Sequence, residues 1–384
     1  MNLLKKTVAI LLTAVFVFSL SACHPKDEVA ISSGDYKITS AMYSYYLVMA
    51  DADAKQLINS SDKYDTKADG FKYIDQTIEG KKYTDYVKEK ALESCLRYIT
   101  IAKLCDEADL ELEDDKVEEW KGTAQYYWNY AYGAVFAQNG IAYSTYEKIL
   151  LNEALYNAYF DYLYLEGGEK EMAKADIQKN LDSHYSAVYI ITHDYSDQDE
   201  PDLDKIKQDL EKYKKLFEKG KTYDEVKAEY DADQKAESDS SNPSSSTGST
   251  SSNTSSTGSD TSSESKEEEK KPLDEDIVIL TDNENSNTSG VSYFEKYSEV
   301  AKMKEGEVAL IADSDNKVVS IVVKKNINAD AYYFDTLSGE IVYMVNGEGF
   351  DSFLKDEAKK IDYTANDYAV NQFKVKKIKD GSEQ

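Results

Sequence analysis

From about residue 39 to residue 165, apolar side chains recur at steps of three and four, the helical period. The stretch from about Thr39 to Ile58 carries Met42, Tyr45, Tyr46 and Met49 at that spacing. From about Tyr86 to Ala108, Val87, Ala91, Cys95, Tyr98, Ala102 and Cys105 share one stripe. A third stretch covers about Val117 to Gln138. A fourth opens at Ser144, where Glu147 completes a capping box. It runs to about Leu165 with Ile149, Leu150, Leu155, Tyr159 and Leu163 as its apolar surface. Residues 26 to 200 contain no proline, so nothing in that span breaks a long helix.

At Ser186 the pattern changes. Ala187-Val-Tyr-Ile-Ile-Thr192 is an unbroken, largely β-branched run and predicts a buried strand. A helix from about Leu203 to Lys219 closes at Gly220, and Thr222 with Glu225 opens a second, short helix by another capping box. Residues 236–271, rich in Ser, Thr, Gly and charge, cannot bury a core and read as a disordered insertion. Ile277 to Leu280 predicts a strand, Tyr293 to Lys302 a helix, and Ala309–Ala312 with Val318–Val323 a hairpin turned at Asp313–Lys317. The tail, about Ala331 to Ile361, returns to helix around Phe350, Phe353 and Leu354.

Charge removes one class of partner. The chain has 73 Asp+Glu against 45 Lys+Arg, a formal net charge of −28. A duplex binder needs a basic face to displace counterions, so nucleic acid is excluded. A mean hydropathy of −0.63 excludes a polytopic membrane protein. Cys95 and Cys105 lie on one predicted helix about 15 Å apart, beyond the roughly 7 Å a disulfide spans, and read as core thiols. Three histidines, His24, His184 and His193, leave too few ligands for a zinc cage. There is no CxxC, no phosphate-cradling glycine loop and no Ser/His/Asp set, and the sequence calls for no cofactor or metal.

The N-terminus carries an address. Lys5 and Lys6 precede an apolar run from Val8 to Leu20, shorter than the roughly 20 residues that span a bilayer. The run ends in Leu20-Ser21-Ala22-Cys23, which resembles a bacterial lipobox. That resemblance implies cleavage after residue 22 and lipid on the Cys23 thiol. The expected location is extracytoplasmic, anchored to the bacterial cell membrane by the two chains of a diacylglycerol-type lipid, with palmitate among the expected acyl groups.

From residue 185 onward the order strand, long helix, short helix, insertion, helix, turn, hairpin resembles a parvulin-type peptidyl-prolyl isomerase domain. The residues that carry it are 185–191, Phe217 to Gly220, Tyr223 to Val226, Tyr230 to Asp233, Gly290-Val-Ser-Tyr-Phe294 and Lys304-Glu-Gly-Glu-Val308. Ile99–Leu110 and Gly140–Tyr146 are similar to the chaperone domain that precedes the parvulin domain in PrsA/SurA-like foldase lipoproteins. The resemblance implies an α+β fold of four parts: a signal peptide (1–22), a helical chaperone-like domain (23–183), a parvulin-like domain (184–330) interrupted by 236–271, and a tail (331–384) packing back on the helical domain.

It also implies site residues. Family parvulins place one histidine in the first strand and one in the last, behind a proline pocket. Here Tyr189 and Ser320 fall at those positions, while Asp233 matches the family's Asp/Cys position. Prolyl isomerisation needs an apolar slot and polar groups that favour the twisted imide, against a barrier of about 18–20 kcal/mol. Phe294 and Met303 suit such a slot, and both also fit an ordinary core. His193, four residues after Tyr189, either shares its strand face or begins the next loop. The implied function is a membrane-anchored chaperone or foldase for unfolded, newly secreted polypeptides. Its isomerase activity is weak or lost because both family histidines are replaced. The rival is a non-catalytic cell-envelope binding lipoprotein on the same scaffold.

Overall fold

The computed structural model describes residues 28–197, 201–241, 272–286 and 288–379. The predicted signal peptide, the Cys23 lipid site and most of the Ser-rich tract lie outside them. The fold is α+β and divides into two compact units, Met1–Glu171 with Gly347–Gln384, and Met172–Asn346.

The first unit opens on an antiparallel hairpin, β1 (Val29–Ser33) and β2 (Tyr36–Thr39), with β10 (Thr364–Ala365) on the other edge of β1. Thr39 then caps α1 (Ser40–Asn59), its hydroxyl accepting from the Met42 N–H at 3.3 Å. Two strands of two residues each, β3 (Thr77–Ile78) and β4 (Lys81–Lys82), lead into α2 (Tyr83–Glu107). The α2 stripe packs on α1: Val87, Ala91, Cys95 and Ile99 have no exposure, and Ile31, Ile38 and Leu47 meet them. Burying each such aliphatic side chain contributes about 1.5–3 kcal/mol. Cys95 and Cys105 are both free and buried, as core thiols should be.

The third predicted helix is interrupted. α3 (Asp114–Tyr127) passes through a π-helical turn, Trp128–Tyr132, into α4 (Gly133–Gln138). Gly133 makes the turn possible, since a Cβ there would lie 2.2 Å from the Trp128 carbonyl oxygen. α5 (Tyr143–Tyr164) is capped at Ala142, not at Ser144, so the predicted capping box does not form. Ser144 sits one residue inside the helix, where its hydroxyl cannot replace the cap. Near the end of α5, Tyr156, Phe160 and Tyr164 surround Phe350 with ring centroids 4.9, 5.3 and 6.1 Å away. Phe350 belongs to α10 (Ala331–Ala358), whose residues up to Asn346 belong to the second unit.

The second unit is a five-stranded sheet ordered β7-β6-β5-β9-β8, preceded by α6 (Lys174–His184). Its strands are β5 (Tyr185–Asp194), β6 (Val278–Thr281), β7 (Val291–Tyr293), β8 (Val308–Asp313) and β9 (Val318–Lys324). β5 lies at the centre, antiparallel to β6 and β9, and the short β7 runs parallel to β6. Of the stretch expected to be helical from Tyr293 to Lys302, Tyr297–Ala301 forms a five-residue helix, α9, while Tyr293 ends the edge strand. Pairing of Thr281 with Tyr293 claims that residue for the sheet.

Strand alternation assigns the two faces. Ile191, Val319 and Ile321 face α7 (Leu203–Glu218) and α8 (Tyr223–Ser241), meeting Ile206, Leu210, Tyr213, Val226 and Tyr230. Val188, Val322, Leu280 and Ile311 face the other way, toward α9 and its Tyr297 and Val300. α7 ends in a Schellman motif: Gly220, at φ +86°, donates to the Phe217 carbonyl at 2.9 Å and Lys221 to that of Leu216 at 3.1 Å. The Thr222 box does form, with the Glu225 carboxylate accepting from the Thr222 N–H at 3.0 Å and the Thr222 hydroxyl from the Glu225 N–H at 3.3 Å. α8 is longer than the short helix expected and continues to Ser241, into the Ser-rich tract.

Candidate functional site

The register between β5 and β9 decides which candidate residues meet. Tyr189 pairs with Val323, and Thr192 pairs with Ser320. Tyr189 and Thr192 are an odd number of residues apart, so the two pairs project from opposite faces. Ser320 and Phe294 come together in one cleft. Tyr189 and Asp233 lie on the other face, among α7 and α8.

On that helix-covered face Tyr189 is held on three sides. Its ring stacks on Tyr223 with centroids 4.8 Å apart, the Lys325 amine lies 4.5 Å over it, and its hydroxyl donates to Asp274 through a very short bond. Burial, then the Asp274 hydrogen bond, holds the phenol above its ordinary pKa. Asp233 projects from α8 and accepts from Lys212 Nζ at 2.7 Å and from the Tyr213 hydroxyl at 2.9 Å. The Lys212 hydrogen bond, with that from Tyr213, keeps its carboxyl below the usual range, so it stays an anion bound to its neighbours. His193 is part of β5, not of a loop, and its Nδ1 is 3.1 Å from the Tyr230 hydroxyl. These groups are a bonded lattice under the helices.

The opposite face is only partly covered, because α9 is short. Beside it lies a cleft of about 400 Å³. Ile190, Val278, Leu280 and Val318 form an apolar floor, Phe294 and Tyr293 one wall, and Asn316 the far end. Phe294 is half-buried and fixed through its N–H, which donates to the Thr281 carbonyl at 2.9 Å. Two hydroxyls sit in the floor, Thr192 Oγ1 and Ser320 Oγ, 3.2 Å apart. Ser320 is buried and Thr192 is open to the cleft. Met303 packs on the adjoining cluster of Tyr297, Val300 and Val322, a wall of the core next to the cleft.

The β8–β9 turn and Glu295 form an acidic rim. The carboxylates of Glu295, Asp313 and Asp315 approach within 4.8 Å of one another. Asp313 is a turn residue: its carboxylate accepts from the N–H groups of Asp315 and Asn316 at 3.2 and 3.1 Å and from the Asn316 amide at 2.8 Å. Burial pushes its carboxyl up, but those hydrogen bonds, led by the Asn316 amide, outweigh it and leave the pKa below ordinary. Calcium takes six to eight oxygens at about 2.3–2.6 Å. With Asp313 committed to the turn, the trio falls well short of such a cage.

One pair has the composition of a Ser/Lys catalytic dyad. Lys324 Nζ donates to Ser186 Oγ, and burial lowers the amine's pKa. Ser186 is 1% exposed and its hydroxyl also donates to Tyr297 at 3.2 Å, so no acyl group can reach it. The pair satisfies a buried amine and nothing more.

The first unit carries a surface that no periodic pattern in the sequence marks. Tyr126 and Tyr130, around the π-helical turn, are 60% and 78% exposed, and Tyr127 and Tyr132 flank them, also exposed. Tyr126 and Tyr130 lie 5.2 Å apart, Tyr127 and Tyr132 6.1 Å.

No family model matches the chain, and no curated protein matches it. Among solved structures, the chain is similar to a crystal structure of foldase protein (PrsA) from Lactococcus lactis, at 14% identity over 89% of this chain and 96% of that one. The TM-score is 0.36, too low for the likeness to carry any argument.

Of the cleft residues, Phe294 and Ser320 stood out in the sequence. Thr192, Ile190, Val278 and the rim did not. For Thr192 and Ile190 the signal was the alternation within β5, readable only once the partner strand's register was known.

Proposed function

We propose that the chain is an extracytoplasmic chaperone, tethered to the membrane by lipid on Cys23. It would bind extended segments of unfolded, newly secreted polypeptides in the cleft of the second unit. The observation that carries this reading is the cleft itself: about 400 Å³ over an open apolar floor, with an exposed hydroxyl in it. An apolar side chain of a client gains burial on Ile190, Val278 and Phe294, while Thr192 and Asn316 offer hydrogen bonds to its backbone. The exposed tyrosines of the first unit suit the same clients, since each ring is apolar with a polar tip. Among the described residues no helix is long and apolar enough to cross a membrane.

Prolyl turnover is not expected to be efficient. Lowering a barrier of about 18–20 kcal/mol requires groups that bind the twisted imide better than the planar one. The cleft lining supplies the hydroxyls of Thr192, Ser292 and Ser320, the Asn316 amide and the rim carboxylates but no imidazole, and Asp233 is bonded to Lys212 and Tyr213 on the other face. A several-fold excess of the purified protein should slow aggregation of a chemically unfolded client, while isomerisation of a proline tetrapeptide runs at the buffer rate. No effect on aggregation defeats the reading. Capture of one specific envelope ligand with no affinity for unfolded chains would favour a dedicated binding lipoprotein in its place.

A further inference from the structure

We propose that the cleft selects segments in which a lysine or arginine lies next to the apolar residue seated on its floor. This rests on the reading of the cleft as a polypeptide-binding groove and names what that groove prefers. The argument is charge complementarity at the rim. Glu295 and Asp315 are exposed, and their carboxylates converge with that of Asp313 within 4.8 Å. Glu284, hydrogen-bonded by the Tyr293 hydroxyl at 3.4 Å, adds a fourth anion on the same side. Against these four stands Lys296, whose Nζ lies 3.2 Å from Glu295. The rim is therefore strongly negative beside an apolar floor.

A flexible cation suits this rim better than a bare ion does. Asp313 spends its oxygens on the turn, so the trio cannot wrap a metal, but Asp315 is exposed and Glu295 can exchange its surface pairing with Lys296 for an incoming ammonium or guanidinium. The Tyr293 ring, 46% exposed in the cleft wall, offers a face to the same cation. An acidic side chain at that position meets the same anions and is repelled. The body's formal net charge of −28 extends this preference over a longer range by steering cationic segments toward the protein.

The test uses the full mature chain and three fluorescent peptides that share one apolar residue and differ in the flanking residue: Lys, Gln or Glu. At low salt the Lys peptide should bind about fivefold tighter than the Gln peptide, and the Glu peptide about fivefold weaker. In about 0.5 M salt, where charges are screened within about 4 Å, the spread should shrink to about twofold. The double variant Glu295→Gln, Asp315→Asn, checked for an unchanged urea midpoint, should lose the Lys-over-Glu ratio. Equal affinity for the three peptides at low salt, or a ratio that survives in the double variant, overturns the preference and leaves the groove standing. Failure of all three peptides to bind removes the groove, and the preference with it.

Discussion

Replacing Phe294 by alanine separates the two faces of the sheet by function. Phe294 walls the cleft and is half-buried, with solvent ready to fill the space it leaves. A fully buried aromatic is worth about 3 kcal/mol of transfer, so the stability loss here should be about 1–1.5 kcal/mol, with little cavity penalty. Val226→Ala is the matched control on the helix side, where Val226 has no exposure. Deleting two methyl groups there removes about 1.6 kcal/mol of transfer plus a cavity term, about 2–3 kcal/mol in all. The control is therefore the more destabilised protein. Binding of an unfolded client peptide, followed by fluorescence anisotropy well below each urea midpoint, should reverse the order. Phe294→Ala should weaken binding about tenfold, as loss of an aromatic anchor does, while Val226→Ala binds as the parent does. Equal binding by the two variants, or a loss confined to Val226→Ala, refutes the assignment of the cleft.

Three further outcomes test the framework. Glu340 accepts from Tyr185 at 2.7 Å and from Thr288. Burial raises its pKa, but these hydrogen bonds outweigh it, and the folded value lies below the ordinary one. Its contribution is thus present above the unfolded pKa of about 4.3 and lost as pH falls through the lower folded value. Glu340→Gln should lose about 1–2 kcal/mol at pH 7 and show a shallower fall of thermal midpoint in acid. Gly220→Ala should destabilise by about 1 kcal/mol in urea titration; a Cβ there meets nothing within 4 Å, so the whole effect is the positive φ. Burial pushes the Cys95 thiol well up, and it raises that of Cys105 to about 12. Mass-resolved labelling should find both inert to maleimide in the folded protein and reactive in denaturant.

Legibility in the sequence followed periodicity. α2 carries one dominant apolar stripe, so the spacing of Val87, Ala91 and Cys95 alone marks them as core. α6 has no such mark, because it buries only Ile177 and Leu181 in an otherwise polar stretch. Nor has the β1–β2 hairpin, whose two short strands are too brief to establish a period of two. The π-helical turn depends on Gly133 lying against the Trp128 carbonyl, a contact with no periodic trace. Capping shows how narrow the margin is: Thr222 directly precedes its helix and caps it, whereas Ser144 lies inside its own by one residue and does not. For the site, the family resemblance pointed to Ser320, and the need for an apolar slot to Phe294. The pairing of β5 with β9 was beyond reach, because a shift of one residue moves a side chain to the other face. That register separates Tyr189 and Asp233 from the cleft.

Hydrogen exchange of the full mature chain with a saturating unfolded client tests the central claim most directly. Amides of Ile190–Thr192, Val278–Thr281, Val291–Glu295 and Val318–Ser320 should gain protection, while those of α7 and α8 exchange as in the free protein. Suppressed aggregation with protection confined to α7 and α8, or with none on the cleft strands, would contradict it.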